Sequence, residues 1–364
     1  MTTGSKNPIF QGDNPFAVDL NHYDSLATPQ PDVSEWSETH FWSVWNPDAG
    51  VGLFIHVGVD PADLSLWWAQ VFAYLPDGMV VADRSWGRSE DKRGPTTGNF
   101  RAVCTEPLRR WALTFDGAGE IVSSQEMATR LVGAGAPVPM AFEVELTATM
   151  PIWDLFKAVK IDNTDVGHIH HEQVMVSKGS LRVGGKEYGG EWRLDGVAFR
   201  DHSQGGRNLT GFGGDHLLGA YFPASGRSLQ TLIFWDRSGN IHFRTAAIHQ
   251  GDRLEIIDDL EMSGLEKGID RPRSLYDLTG NPKSFTMHLN TNSGPVKIEG
   301  EALHCVNISL FGVNTNVNGS AINIPGDHML LAECPIRLVW PDGDVGYGHF
   351  ERCYKKSLLL GTAE

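Results

Sequence analysis

The sequence predicts an all-β fold of two antiparallel barrels or sandwiches with few short helices. Short runs rich in Val, Ile, Phe, Trp and Thr recur at a spacing of roughly 8 to 15 residues, the interval of strand-turn-strand architectures. The 364 residues include 41 glycines, 19 prolines and 11 tryptophans, a composition suited to tight turns rather than long helices. Only the stretch around Trp153 to Val159 reads as a helix.

Residues 1–35 are polar and carry Pro8, Pro15, Pro29 and Pro31, so they are expected to form an extended arm on the surface. From Trp36 the chain turns apolar in Phe41–Asn46, Gly52–Gly58 and Leu66–Tyr74, with turn signals at Asn46-Pro-Asp-Ala-Gly50 and Pro76-Asp-Gly78 between them. This is the pattern of an antiparallel meander. Strands follow at Arg110–Phe115 and Pro139–Thr149, where Phe142, Val144 and Leu146 alternate with Glu143, Glu145 and Thr147. That alternation predicts one buried and one wet face. The boundary is placed near 160, dividing an N-terminal β-domain, 36–160, from a C-terminal one, 161–364, whose strands run from His170–Val176 to Arg337–Val339.

Composition excludes several function classes. A net charge of −15 opposes binding to nucleic-acid phosphates and anionic membranes. Cys104, Cys305, Cys334 and Cys353 lack CxxC spacing and read as reduced, packed side chains. No secretory leader and no apolar run long enough to span a bilayer is recognised, so a cytoplasmic location is expected. Thr210-Gly-Phe-Gly-Gly214 lacks the Lys and helix of a phosphate loop, and no Gly-x-Ser-x-Gly elbow occurs.

Two polar knots interrupt the strand-like segments. Arg200, Asp201, His202, Gln204 and Arg207 crowd into one, and His168-Ile-His-His-Glu-Gln173 forms the other. In an extended strand His168, His170 and Glu172 share one face, and His171 and Gln173 the other. Three ligands at i, i+2 and i+4, about 6.5 to 7 Å apart per step, would strain around one metal ion, so no metal is assigned. The structural alternative is a salt-bridged corner in which Arg200 or Arg207 clamps Asp201. His56, His242 and His349 stand alone on strands and are read as non-catalytic, and the tryptophans of the first half as barrel packing.

The succession Trp45-Asn-Pro-Asp-Ala-Gly-Val-Gly52, Glu106-Pro-Leu-Arg-Arg-Trp111, His170-His-Glu-Gln173, Gly196-x-x-x-Arg-Asp-His-Ser203 and Gly346-Tyr-Gly-His-Phe-Glu351 resembles the two-domain lipocalin-like superfamily of carotenoid hydratases and AttH-like proteins. The resemblance spans about 36 to 352. It implies two lipocalin-like barrels and cofactor-independent lyase chemistry on a hydrophobic small molecule such as a terpenoid, steroid or substituted aromatic: water addition, water loss or retro-aldol-type cleavage. Asp201 matches the proton-donating carboxylate of the hydratase branch. The chain departs from the pattern with Gln204 where relatives carry Trp, and His171 where they carry Tyr, which predicts a more polar pocket.

The resulting expectation places Asp201, His202, Glu172 and His170 as catalytic groups, with Arg207, His171, Arg200 and Gln204 binding substrate, in a possible homodimer. The rival reading is a non-catalytic carrier or sensor of an apolar ligand. It requires an apolar pocket without convergent titratable groups, whereas the enzyme reading requires segments 168–173 and 200–207 to meet on one cavity.

Overall fold

The computed structural model describes residues 6–19, 24, 35–89, 94–159, 169–207, 209–263 and 284–360. Strands dominate, as the turn-rich composition requires. The first, β1 (Ile9–Gln11), belongs to the arm. Then come β2 (Trp36–Asn46), β3 (Val51–Asp60), β4 (Asp63–Tyr74), β5 (Met79–Arg88), β6 (Phe100–Glu106), β7 (Arg110–Ser123), β8 (Pro137–Ala148), β9 (Trp153–Asp154), β10 (Ile169–Val183), β11 (Gly190–Arg193) and β12 (Gly196–Gly206). Antiparallel pairing runs β10-β12-β2-β3-β4-β5-β7-β8 and returns from β8 to β10, closing an eight-stranded barrel. Closure leaves none of these strands as an open edge along its whole length.

The second sheet contains β13 (Phe212–Phe222), β14 (Arg227–Asp236), β15 (Ile241–Gln250), β16 (Arg253–Ile257), β17 (Leu260–Ser263), β18 (Ser284–Thr291), β19 (Gly294–Ala302), β20 (Val306–Gly312), β21 (Thr315–Asn318), β22 (Met329–Val339) and β23 (Val345–Lys355). Its order is β1-β16-β15-β14-β13-β23-β22-β19-β18-β17, with β20 pairing β22 and β21. Side chains rather than a ladder tie its ends. The Asn292 amide, beyond β18, and Asn7 Nδ2 both donate to Glu255 Oε1 on β16, at 2.6 and 3.0 Å.

Three apolar layers result. Trp42, Val44, Ile55, Val71 and Leu146 fill the first barrel, and Leu218, Phe222, Ile257 and Phe350 pack inside the second sheet. Between them Phe41, Phe54 and Phe199 meet Leu217, Phe234 and Leu331. Gly219 makes this contact possible, since a Cβ there would lie 2.2 Å from the Phe199 ring. Strands at this seam bury both faces: all eleven residues of β2 are buried. They therefore read as continuous apolar runs rather than as alternating ones.

Three expectations need correction. Sheet membership changes between Gly206 and Phe212, not near 160. Strands β10 and β12 are needed to close the first barrel, which would otherwise leave β8 and β2 with open edges. The arm is only partly superficial, because Phe16 and Asp24 are buried at 8% and 4% exposure. The helix expected over 153–159 is α2 (Leu155–Val159), preceded by Trp153–Asp154 in register with β10. Two further helices are α1 (Ser124–Thr129) and α3 (Lys356–Leu360). At the start of α1 Ser123 and Glu126 form a reciprocal capping box.

Candidate active site

The two polar segments of the sequence are neighbouring strands. In the β10–β12 ladder Glu172 lies opposite Asp201, His170 opposite Ser203, His171 opposite His202, Gln173 opposite Arg200 and Ile169 opposite Gln204. Directly opposed residues share a face, and successive residues alternate between faces. The expected single cluster is therefore two clusters, back to back through one layer of sheet. His168 lies outside the described residues.

His170, Glu172 and Asp201 face the seam between the sheets. His170 Nε2 lies 2.8 Å from Glu172 Oε1 and 3.5 Å from Asp201 Oδ1. The Asp201 and His170 side chains keep 16% and 11% of their surface exposed while that of Glu172 has none, so Asp201 is the most open of the three to an incoming molecule. Burial and then the charge of Glu172 raise Asp201 to about 7, and burial holds Glu172 well above the usual carboxyl range. Burial also lowers His170, which keeps it neutral near pH 7.

The second sheet adds more acid to the same seam. Burial and neighbouring carboxylates hold Asp215 on β13 and Glu351 on β23 well above their ordinary values. Glu333 on β22, raised by burial to about 8, lies 2.8 Å from His349 Nε2. Arg207 bends toward this face, donating to the hydroxyls of Thr39, at 3.0 Å, and Ser203. Among the described residues it forms no ion pair with a carboxylate.

The opposite face points into the first barrel, where every charge has a counterpart. Arg200 pairs with Asp24 and stacks 5.0 Å over the Trp111 ring, and His171 Nε2 lies 3.2 Å from Asp154 Oδ2. Glu38 Oε1 lies 3.2 Å from His202 Nε2 and 3.6 Å from His40 Nε2, whose rings stack at 3.9 Å. Burial works to raise Glu38, but hydrogen bonds from His202 and His40 outweigh it and hold the carboxyl at about 2. Burial lowers His40 and His171 to about 4. Gln204 takes the same face by strand alternation and is buried.

Several expected groupings are thereby revised. Arg200 clamps Asp24, not Asp201, and Arg207 holds hydroxyls. His202, His171, Arg200 and Gln204 do not share a cavity with Asp201, because neighbouring residues on a strand diverge. Sequence reasoning also passed over Asp24, Glu38, His40, Asp215, Glu333 and Glu351. A polar residue inside an otherwise apolar strand was the available signal. Among the described residues three donor sets could hold a cation by proximity: Glu38, His40 and His202; His170, Glu172 and Asp201; and Asp215, Glu351 and Cys353, each with its donor atoms within 4.8 Å of one another.

Solved structures share this architecture. An AttH-like protein from Nitrosomonas europaea aligns with a TM-score of 0.50 and 13% identity, over 90% of this chain and 96% of its own. Kievitone hydratase from Nectria haematococca aligns with a TM-score of 0.51 and 12% identity, over 95% of this chain and 98% of its own. The fold is thus the one that the resemblance in the sequence implied. No curated protein matches the sequence. The family described as "Domain of unknown function (DUF7064)" matches residues 22–355, nearly the whole of both sheets, and the chain belongs to that family.

Proposed function

We propose that the chain is a lyase of the hydratase type, adding or removing water on a hydrophobic small molecule bound at the seam between the two sheets. The observation that carries this reading is the convergence of His170, Glu172 and Asp201, with Asp201 the most open of the three. Asp201, protonated at neutral pH, donates its proton to an alkene carbon or to a departing hydroxyl. In hydration the resulting carbocation takes up water, and the water's surplus proton returns to the Asp201 carboxylate, directly or through neutral His170. Glu172 remains protonated and fixes the imidazole. A retro-aldol cleavage would use the same base and acid on a β-hydroxy carbonyl substrate, with Arg207 facing the oxyanion.

Arg207 has the binding role in this scheme. His202, His171, Arg200 and Gln204 act through the sheet, holding the strand pair that carries Asp201. The carrier reading calls for a pocket without convergent titratable groups, and this seam gathers five carboxyls from five strands, Glu172, Asp201, Asp215, Glu333 and Glu351.

The test is incubation of the purified protein with apolar alkenes, tertiary alcohols and hydroxylated aromatics, read by mass spectrometry for gain or loss of one water. Turnover that disappears in Asp201→Asn supports the scheme. Retention of ligand with unchanged mass across the panel would give the carrier the better claim.

A further inference from the structure

Arg207 also lines a crevice of about 530 Å³ that opens to the surface, and its charge also acts on the acidic seam. The rim carries two more cations, Arg237 at the end of β14 and Lys355 at the end of β23, with exposed Phe311 on the apolar side. Lys355 Nζ donates only to the Asp327 backbone carbonyl, at 3.3 Å, and no ion pair of Arg237 or Lys355 occurs among the described residues. Of the two acids on the lining, Asp327 accepts from the Ser357 amide at 2.8 Å, and Glu35, whose backbone carbonyl accepts from the Arg207 amide at 3.0 Å, forms no side-chain ion pair with Arg207 among the described residues.

This gathering of unpaired cations is unusual in a chain of net charge −15. The inner member is costly. A half-buried guanidinium is commonly met by a carboxylate, yet Arg207 has two neutral hydroxyls, and its buried Nε has no hydrogen-bond partner. The acids whose charge acts on it, Asp201, Glu351 and Asp215, are themselves held above the usual carboxyl range by burial. A ligand anion would complete the set.

We infer that this crevice binds an organic oxyanion, a carboxylate or phosphate monoester, at one end of an apolar ligand, with Arg207 as the inner contact and Arg237 and Lys355 as outer ones. The inference rests on the proposed function for its setting and narrows the substrate to an anionic amphiphile. The guanidinium offers a planar fork to two anion oxygens, and Leu310, Val313, Met329 and Phe311 accept the chain.

The test uses the full chain and three probes of equal length: dodecanoate, dodecyl phosphate and dodecanol, titrated by calorimetry at two salt concentrations. At least one anion should bind about tenfold or more tightly than the alcohol, as charge-assisted hydrogen bonds require, and less tightly at high salt. Whichever anion is preferred identifies the head group. Arg207→Gln should abolish the preference without weakening dodecanol. Should that variant fail to fold, the Arg237→Gln/Lys355→Gln double variant must reduce the preference and flatten the salt dependence. Equal binding of the three probes, or a preference that survives both variants, overturns the inference. None of the probes can be hydrated, so their binding is independent of Asp201 chemistry. Anion preference beside full turnover in Asp201→Asn would sink the catalytic scheme alone.

Discussion

The two faces of the β10–β12 pair are built from the same residue types, yet they are electrostatic opposites. Inside the first barrel, Arg200 meets Asp24, His171 meets Asp154, and Glu38 sits between His40 and His202. At the seam, carboxyls face carboxyls, with Arg207 held on hydroxyls nearby. Matched partners keep Glu38 ionised at the expense of mobility, and such pairs are architectural. A crowd of like groups instead leaves protons on carboxyls at neutral pH, where they can be donated. Burial is common to both faces, and the partner decides what burial does.

The largest effect should come from the seam. Asp201→Asn removes the donated proton while preserving shape, and turnover should fall by roughly 10²- to 10⁴-fold, the usual contribution of general acid catalysis. Thermal stability of the same variant should hold or rise. A loss of folding with unimpaired specific activity would make Asp201 architectural and erase the contrast between the faces.

Inside the barrel the expected effect is on stability. Arg200→Met strands the buried Asp24 carboxylate and should cost about 3–5 kcal/mol, measured by urea unfolding. The double variant Arg200→Met/Asp24→Leu should recover much of that loss. A single variant as stable as the parent would show that the pair is not what holds the arm to the barrel.

A smaller effect is expected where the layers touch. Gly219→Ala drives a methyl group into the Phe199 ring, and should destabilise by about 1–3 kcal/mol. Gly312→Ala, at a strand end without positive φ and with no atom nearer than 3.9 Å to the added Cβ, controls for the loss of glycine itself. Equal costs at the two positions would mean that the close approach of the sheets at Gly219 is unimportant.

The pH dependence of stability sharpens the contrast further, with the smallest differences. His40 and His171, lowered from 6.5 to about 4, resist protonation in the folded state, so stability should fall as pH drops from about 6.5 toward 4. Glu333 has the opposite sign: its pKa is raised from 4.5 to about 8, so the folded state binds the extra proton and stability should fall as pH climbs across that interval. Glu333→Gln should flatten the alkaline limb and spare the acid one. Urea midpoints between about pH 5 and 9 read both limbs, and a variant parallel to the parent throughout would remove Glu333 from the account.

The sequence by itself determined the all-β class, because turn residues at short intervals leave no room for long helices. It also nominated Asp201, Glu172 and His170, since polar groups are costly inside apolar strands and stand out there. The Ser123-x-x-Glu126 capping box was equally legible but lay beside a strand-like run, and the helix it starts went unread. Only the tertiary structure decided that His202 and Asp201 part company, that Arg200 belongs to Asp24, and that β10 closes the first barrel onto β8. The physical reason is that alternation assigns side chains to two faces, but a strand buried on both loses the hydropathy contrast that says which face enters the barrel and which meets the other sheet. Partners such as Asp24, Glu38 and Glu351 reach the site through barrel closure and the docking of two sheets, and both depend on pairings between distant segments that no local pattern encodes.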